Sequence, residues 1–304
     1  MIDRAVVRVP GKINLQLSVG PLQKDGYHEL ATVFQSVSLY DELTITTSDD
    51  DSIKIDNEGK SGVPEGSENL AYRAAELMRK RFDIDSGILI KIKKEIPISG
   101  GMAGGSADAG ATIVGIDSLF SLGLNRNEME KLGSELGADV PFTISGGTAI
   151  GTGRGDQITP VLSRGTYHWV LALSSSGLST PAVYQECDRL REGMNIATPH
   201  VSDELLQSLT HGDAKSLGKM LVNDLQPAAC SLKPALRLIL DVGIDYGALG
   251  GLVSGSGPTV AFLAENEEHA LDLVVALTSS GVVGNVVRAQ GPVPGARIVS
   301  ERTQ

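Results

Sequence analysis

Cysteine is almost missing from this chain: Cys187 and Cys230 are the only two among 304 residues. They form no C-x-x-C pair and fall in segments that read as helical, so neither is assigned a catalytic role. Positive charge is scarce too, with 26 Lys and Arg against 37 Asp and Glu and a net charge of −11. That balance argues against a surface built for nucleic acid or for an anionic membrane. There is no apolar run of membrane length and no recognisable signal peptide. The expectation is a cytoplasmic protein with reduced thiols, without nucleic-acid or membrane partners. Nor is any repeat of roughly 20–50 residues visible. What remains is a chain with 41% hydrophobic residues, ample for a core, and a length that suits two domains or one large one.

Glycine, in contrast, is plentiful, and its 36 copies cluster. The densest cluster is Pro97-Ile98-Ser99-Gly100-Gly101-Met102-Ala103-Gly104-Gly105-Ser106-Ala107. Before it, Ile88–Ile96 alternates and is rich in β-branched residues, which predicts a strand. After it, Ser106–Phe120 reads as a small-residue helix with Ser106 at its cap. Strand, glycine loop and helix start together bind phosphate, because backbone N–H groups and the helix dipole face the anion at close range. A tight strand-to-helix turn would use some of the same residues, but four glycines before a capping serine favour the anion. An acidic chain that binds anions must gather its donors locally in this way.

Three well-known phosphate sites are absent. No lysine precedes Ser106, so the P-loop spacing fails, and G-x-G-x-x-G does not occur here. The H-R-D and D-F-G sequences of protein kinases are missing as well.

The remaining pattern is α+β, with a change of character near residue 160. Ala5–Val9 predicts a strand broken by Pro10-Gly11, and residues 12–19 a second strand with Lys12, Asn14 and Gln16 on one face. Asp25-Gly26 marks a turn. Further strands are expected at Val33–Ser38, Glu42–Thr47 and Ser52–Asp56, and helices at Glu68–Phe82 and Asn127–Leu136, the latter stopped by Gly137. Gly146–Thr159 reads as a glycine-rich strand and turn. Beyond it come a strand at His168–Leu173, helical stretches over 180–191 and 202–243, and two strands flanking Gly255–Pro258. A helix at Asn266–Leu277 and a final strand at Val282–Arg288 close the chain.

Several residues on this frame invite chemistry. Lys12 is either an exposed strand residue or a cation at the edge of a pocket. Asp139, between a helix end and Val140-Pro141-Phe142, suits turn chemistry. The apolar flank also implies partial burial, and a buried carboxylate needs a partner that a lysine would supply. Asp25-Gly26-Tyr27-His28 is an ordinary hairpin turn or one that presents a ring and an imidazole to a ligand. Tyr184 packs, unless the fold sets it opposite Tyr27. Gly251–Thr259 alone means a tight hairpin; paired with the first loop it forms a second wall around one anion site.

Taken in order, Pro10-Gly11-Lys12-Ile13-Asn14, Pro97-x-x-x-Gly101-x-x-Gly104-Gly105-Ser106-Ala107 and Ser254-Gly255-Ser256-Gly257-Pro258 resemble the three motifs of the GHMP small-molecule kinases. Leu15 after the first motif, Asp25–His28, and Leu136-Gly137-Ala138-Asp139-Val140-Pro141 bring the match closest to one branch. Its substrate is cytidine diphosphate-linked methylerythritol. The resemblance runs from about residue 5 to the last strand and is weakest over 190–245. It implies the GHMP kinase fold: an N-terminal α/β domain over 1–160, a C-terminal ferredoxin-like domain over 161–304, and the active site in the cleft between them. It implies transfer of the γ-phosphoryl of ATP, with Mg²⁺, to the 2-hydroxyl of the methylerythritol. Asp139 would be the base and Lys12 the assisting lysine. Residues 97–107 would hold the ATP phosphates, with Asn69 and Lys94 near the adenine. On the substrate side stand Asn14, and Tyr27, His28 and Tyr184 around the cytosine. The metal ligands are not assigned. One departure is visible: the family loop often carries two hydroxyl residues, whereas Ala107 follows Ser106 here, which leaves the second to a neighbour such as Thr112. Asp108 beside them is given no role except help with Mg²⁺. Two rivals stand: a GHMP kinase for homoserine, mevalonate or a sugar, and a binding protein on this fold without catalysis, which the presence of both Lys12 and Asp139 opposes.

Overall fold

Pro10-Gly11 does not break the first strand. β1 (Ile2–Leu22) runs through it, antiparallel to β2 (His28–Ser48), which likewise joins the two strands expected separately. The register absorbs the proline: Pro10 faces Tyr40 while Gly11 faces Val37, so two residues of β2 are extra at that point. Such a bulge is where a sheet tolerates a residue that has no N–H. The computed structural model describes residues 2–58, 62–174 and 176–303.

In the first half, β3 (Ile53–Asp56) lies parallel to β4 (Gly87–Lys93), with α1 (Leu70–Arg81) between them in sequence. The glycine loop leads to α2 (Gly104–Phe120), followed by α3 (Arg126–Ser134) and the short α4 (Val140–Ser145). Strands β5 (Thr148–Thr152) and β6 (Gln157–Pro160) form a hairpin whose first strand pairs with β2.

The second half contains β7 (Tyr167–Leu173), α5 (Thr180–Leu190), α6 (Asp203–His211), α7 (Ala214–Met220) and β8 (Val222–Asn223). Then come α8 (Gln226–Leu232), α9 (Ala235–Asp245), β9 (Gly250–Val253), β10 (Val260–Ala264), α10 (Glu267–Ser279) and β11 (Asn285–Gly291). Its sheet has the order β11-β7-β10-β9, antiparallel throughout, which is the ferredoxin-like order. A strand not foreseen, β12 (Arg297–Thr303), returns to pair with β1, and β8 pairs with β1 from the other direction in sequence. Residues 161–304 therefore contribute two strands to the first sheet, whose main path is β12-β1-β2-β4-β3.

The core explains where α2 can lie. Its small residues Ala107, Ala109 and Ala111 are buried with Ile113 and Ile116 against the first sheet. At Gly115 a Cβ would sit 2.3 Å from Ile45 Cδ1 and 2.9 Å from Val7 Cγ2. Any side chain there would push the helix, and the loop before it, off the sheet. Among the described residues no helix is long and apolar enough to cross a membrane.

Candidate active site

The loop takes its shape from residues in the left-handed region. Ser99, Gly101 and Ala103 have φ of 50°, 77° and 58°. At Gly101 a Cβ would lie 2.1 Å from Ser254 O and 2.9 Å from Gly257 N, so only glycine lets the second loop close against the first. Ser254 Oγ donates to Gly101 O at 3.0 Å, and Thr259 N–H to Gly100 O at 3.2 Å. The two glycine loops thus form adjoining walls, as expected from their pairing. The N-cap of α2 is Ala103 rather than Ser106, and it makes no side-chain cap bond. A left-handed residue starts the helix earlier than a serine cap would. Ser106 consequently sits in the first turn, beside N–H groups that the helix cannot satisfy itself and that suit an anion.

Both loops, the second half of β1 and the approach to α4 line one cavity of about 690 Å³. Lys12 is buried there at 5% exposure. Its N–H donates to Met102 O at 3.2 Å, which ties β1 to the loop. Its Nζ donates to Asn14 Oδ1 at 2.7 Å and stands 3.9 Å from Asp139 Oδ2. Asn14 Nδ2 donates in turn to Thr32 Oγ1 at 2.8 Å, which orients the amide. Below, Lys12 Nζ lies 5.2 Å from the Phe34 ring, itself packed on Phe142 at 5.0 Å. Burial pushes the Lys12 ammonium below the ordinary lysine range, and Asp139 pulls it back up. Asp139 holds the N-cap position of α4, yet its side chain makes no cap bond, and the side chain is 35% exposed. A carboxylate not occupied by capping faces a buried lysine. Of the readings open for these two residues, the fold brings about the paired one.

Lys94 lines the same cavity but is engaged otherwise. Its Nζ donates to Asp41 Oδ2 and Asp108 Oδ2, each at 2.6 Å, and to Gly104 O at 2.9 Å. Asp41 Oδ1 accepts the N–H groups of Glu95 and Ile96 at 2.7 and 2.8 Å. Burial disfavours the Lys94 charge, but the two carboxylates overcome it and hold its pKa above the usual value. Asp108 is pushed up by burial and by Asp41, against the pull of Lys94. The cluster locks β2, the end of β4 and the first turns of α2 together, and it engages Asp108 through Oδ2. Asn69 is likewise engaged: it caps α1 through Oδ1 to Ala71 N–H at 2.8 Å and donates to Pro64 O at 2.7 Å. Around it, Val63, Pro64 and Leu70, which the sequence reading missed, join Ile98 in an apolar lining at this end of the cavity.

At the other end stands Tyr184 of α5, set beside His28 at 5.1 Å between ring centroids. Burial raises the Tyr184 hydroxyl pKa, and the nearby Asp139 raises it further. His28 Nε2 bonds Asp188 Oδ1 at 2.8 Å. Tyr27 is 53% exposed, and its ring is covered by the Arg154 guanidinium, 3.7 Å from the centroid. Tyr184 and Arg154 line the cavity, with Tyr27 and His28 directly behind them. Among the described residues the ring contact of Tyr184 is with His28 and not with Tyr27, the partner that a ligand role for Tyr184 was expected to need. Arg154 was not singled out in the sequence; an arginine between two glycines at a hairpin tip was its only signal.

Known proteins resemble this chain in sequence and fold. The model of the GHMP kinases N terminal domain matches residues 69–147, and that of the GHMP kinases C terminal matches residues 205–283. The 4-diphosphocytidyl-2-C-methyl-D-erythritol kinase of Mycolicibacterium gilvum is 51% identical over 296 residues, covering 96% of this chain and 92% of that one. The protein of the same name from Nocardia farcinica is 50% identical, with 97% and 96% covered. A crystal structure of 4-(cytidine 5′-diphospho)-2C-methyl-D-erythritol kinase superposes with a TM-score of 0.77 at 30% identity, over 93% of this chain and 98% of that one. Homoserine kinase from Cytophaga hutchinsonii gives a TM-score of 0.76 at 17% identity, over 98% of both chains, a likeness of fold alone.

Proposed function

The chain belongs to the GHMP kinases, and we propose that it phosphorylates the 2-hydroxyl of 4-diphosphocytidyl-2-C-methyl-D-erythritol with ATP, in non-mevalonate isoprenoid precursor biosynthesis. It is a small-molecule kinase. The observation that carries the assignment of roles is the Lys12–Asp139 pair, 3.9 Å apart in the cavity that the uncapped start of α2 also lines.

Phosphoryl transfer proceeds through a loose transition state, so positioning and charge stabilisation dominate. The backbone donors of residues 97–107 and the first turn of α2 hold the triphosphate. The adenine lies against Val63, Pro64 and Leu70, near Asn69, while Lys94 acts on ATP by fixing the loop rather than by direct contact. Asp139 accepts the proton of the substrate hydroxyl as its oxygen meets the γ-phosphorus. Lys12 offsets charge on the transferring group. Asn14 fixes the lysine and borders the same space.

Mg²⁺ fits the donor set present, with the hard hydroxyl oxygen of Ser106 on the cavity wall beside the phosphate loop. Among the described residues no three acidic, His or Cys side chains cluster as ligands. Phosphate oxygens and water would therefore complete its shell, the usual sparse pattern for this ion. When bound it would draw charge from the β- and γ-phosphates.

ADP release, measured with the cytidine substrate beside homoserine and mevalonate, tests the proposal. Turnover confined to the cytidine compound, with phosphate at its 2-position, is expected. Preference for either other alcohol would overturn it.

A further inference from the structure

Among the described residues, three lysine and arginine side chains line the cavity: Lys12, Lys94 and Arg154. The ammonium of Lys94 is spent on Asp41, Asp108 and Gly104, and that of Lys12, held by Asn14 beside Asp139, faces the transferring phosphoryl group of the proposed reaction. Yet the reaction above brings two polyanions into one cavity of a chain that carries a net charge of −11. The triphosphate has the glycine loop and the start of α2. The diphosphate of the substrate has neither. It joins the nucleoside to the alcohol that is phosphorylated, so it must lie between the Tyr184 end and Asp139.

Arg154 stands at that end on a pinned turn. Leu30 N–H donates to Gly153 O at 2.8 Å, and Arg154 N–H donates to Asp156 Oδ1 at 3.3 Å. Its guanidinium is held over the Tyr27 ring, 3.7 Å from the centroid, and by one bond from Nη2 to Asp25 Oδ2 at 3.0 Å. Its side chain remains 52% exposed. Among the described residues, Asp25 is the one carboxylate paired with this guanidinium, which has five N–H donors in a rigid plane. A fork held on two sides has already lost much of its rotamer freedom, so binding orders it at little further cost.

We propose that Arg154 is the residue that binds the diphosphate of the substrate, by a charge-assisted fork onto its phosphate oxygens. The inference rests on the function proposed above. It makes Arg154 a specificity residue, because homoserine and mevalonate carry no diphosphate for it to hold. It also gives the Arg154–Tyr27 stack a purpose, placing charge and nucleobase recognition in one unit.

The test compares wild type, Arg154→Met and Arg154→Lys, with CDP and cytidine as probes in calorimetry and with the full substrate in turnover. Wild type should bind CDP more tightly than cytidine. Arg154→Met should weaken CDP and raise the KM of the substrate by roughly tenfold or more, the worth of a charged hydrogen bond. Cytidine affinity and the KM of ATP should stay within about twofold, well inside that effect. Arg154→Lys, which keeps the charge and loses the fork, should fall between. Equal weakening of CDP and cytidine would mean that Arg154 only supports Tyr27, and would overturn the inference. A rise in the KM of ATP would assign the guanidinium to the triphosphate and overturn it as well. Failure of wild type to phosphorylate the cytidine substrate would instead remove the function itself, a separate outcome read in the turnover arm. The melting temperature of each variant verifies that the exposed turn still folds.

Discussion

Lys12 and Lys94 are both buried lysines on the wall of one cavity, and they differ in nearly everything else. Lys94 has three oxygens within 2.9 Å and a raised pKa; Lys12 has one oxygen at 2.7 Å, its carboxylate at 3.9 Å, and a lowered pKa. A buried charge fully met by its partners is a strut. A buried charge met in part, with a carboxylate held just beyond bonding distance, is a group with capacity for a third charged species. Burial is common to both lysines; the unfilled part of its coordination is what fits Lys12, and not Lys94, to the catalytic role proposed for it.

The strongest way to break this contrast is at the carboxylate. Asp139→Asn should lower kcat by on the order of 10²–10⁴, the usual worth of a positioned base, with ATP affinity kept. Near-normal turnover would return Asp139 to turn chemistry. A smaller effect, on binding rather than on chemistry, is expected at the loop. Gly105 has only Leu70 Cδ1, at 3.7 Å, near its absent Cβ. Gly105→Val should therefore fold and raise the KM of ATP about tenfold or more by filling the space the phosphate needs, with the KM of the alcohol little changed. Gly104 is less clean, because a Cβ there would meet Ile96 Cγ2 and Lys94 Nζ at 3.0 Å. Next, Tyr184→Ala should weaken the cytidine substrate by roughly 1–3 kcal/mol if the ring stacks on the base, and leave ATP alone. A lowered melting point with unaltered preference for cytidine over uridine would make Tyr184 a packing residue.

The smallest expected effect is in pH. Asp139 raises the pKa of Lys12, so its removal lets burial depress that pKa further. The alkaline limb of the residual activity of Asp139→Asn should thus fall at lower pH than in wild type. Stability runs the opposite way. A lysine whose folded pKa lies below its unfolded value binds fewer protons folded than unfolded, so its contribution to stability rises as pH climbs through that window. Activity lost while stability is gained would identify Lys12 as the titrating group.

Local pattern made part of this legible. The strand, loop and helix around residues 97–107 are written in consecutive residues, and their glycines announce the backbone they require. The cap was misplaced because serine preference competes with a left-handed Ala103, a choice made by contacts of the loop and not by propensity. Pro10-Gly11 read as a break since the bulge that tolerates it lies on the opposite strand, near Tyr40. β12 escaped because its partner is the other end of the chain. The same holds for Lys94 and Arg154: their meaning depends on Asp41, Asp108, Tyr27 and Asp25, which no spacing connects to them. Asp139 and Lys12 were each ambiguous alone and became a pair only when β1 and α4 met.

One paired measurement tests the account most directly: turnover and melting temperature of Lys12→Met beside Lys94→Met. Lys12→Met should lose most of its turnover while its melting temperature stays near that of wild type. Lys94→Met, which strands two buried carboxylates, should lose about 3–5 kcal/mol of stability, and where it remains folded its kcat should suffer far less than that of Lys12→Met. A Lys12→Met protein that unfolds, or a folded Lys94→Met protein that is the more inactive of the two, would contradict the division between strut and reacting group.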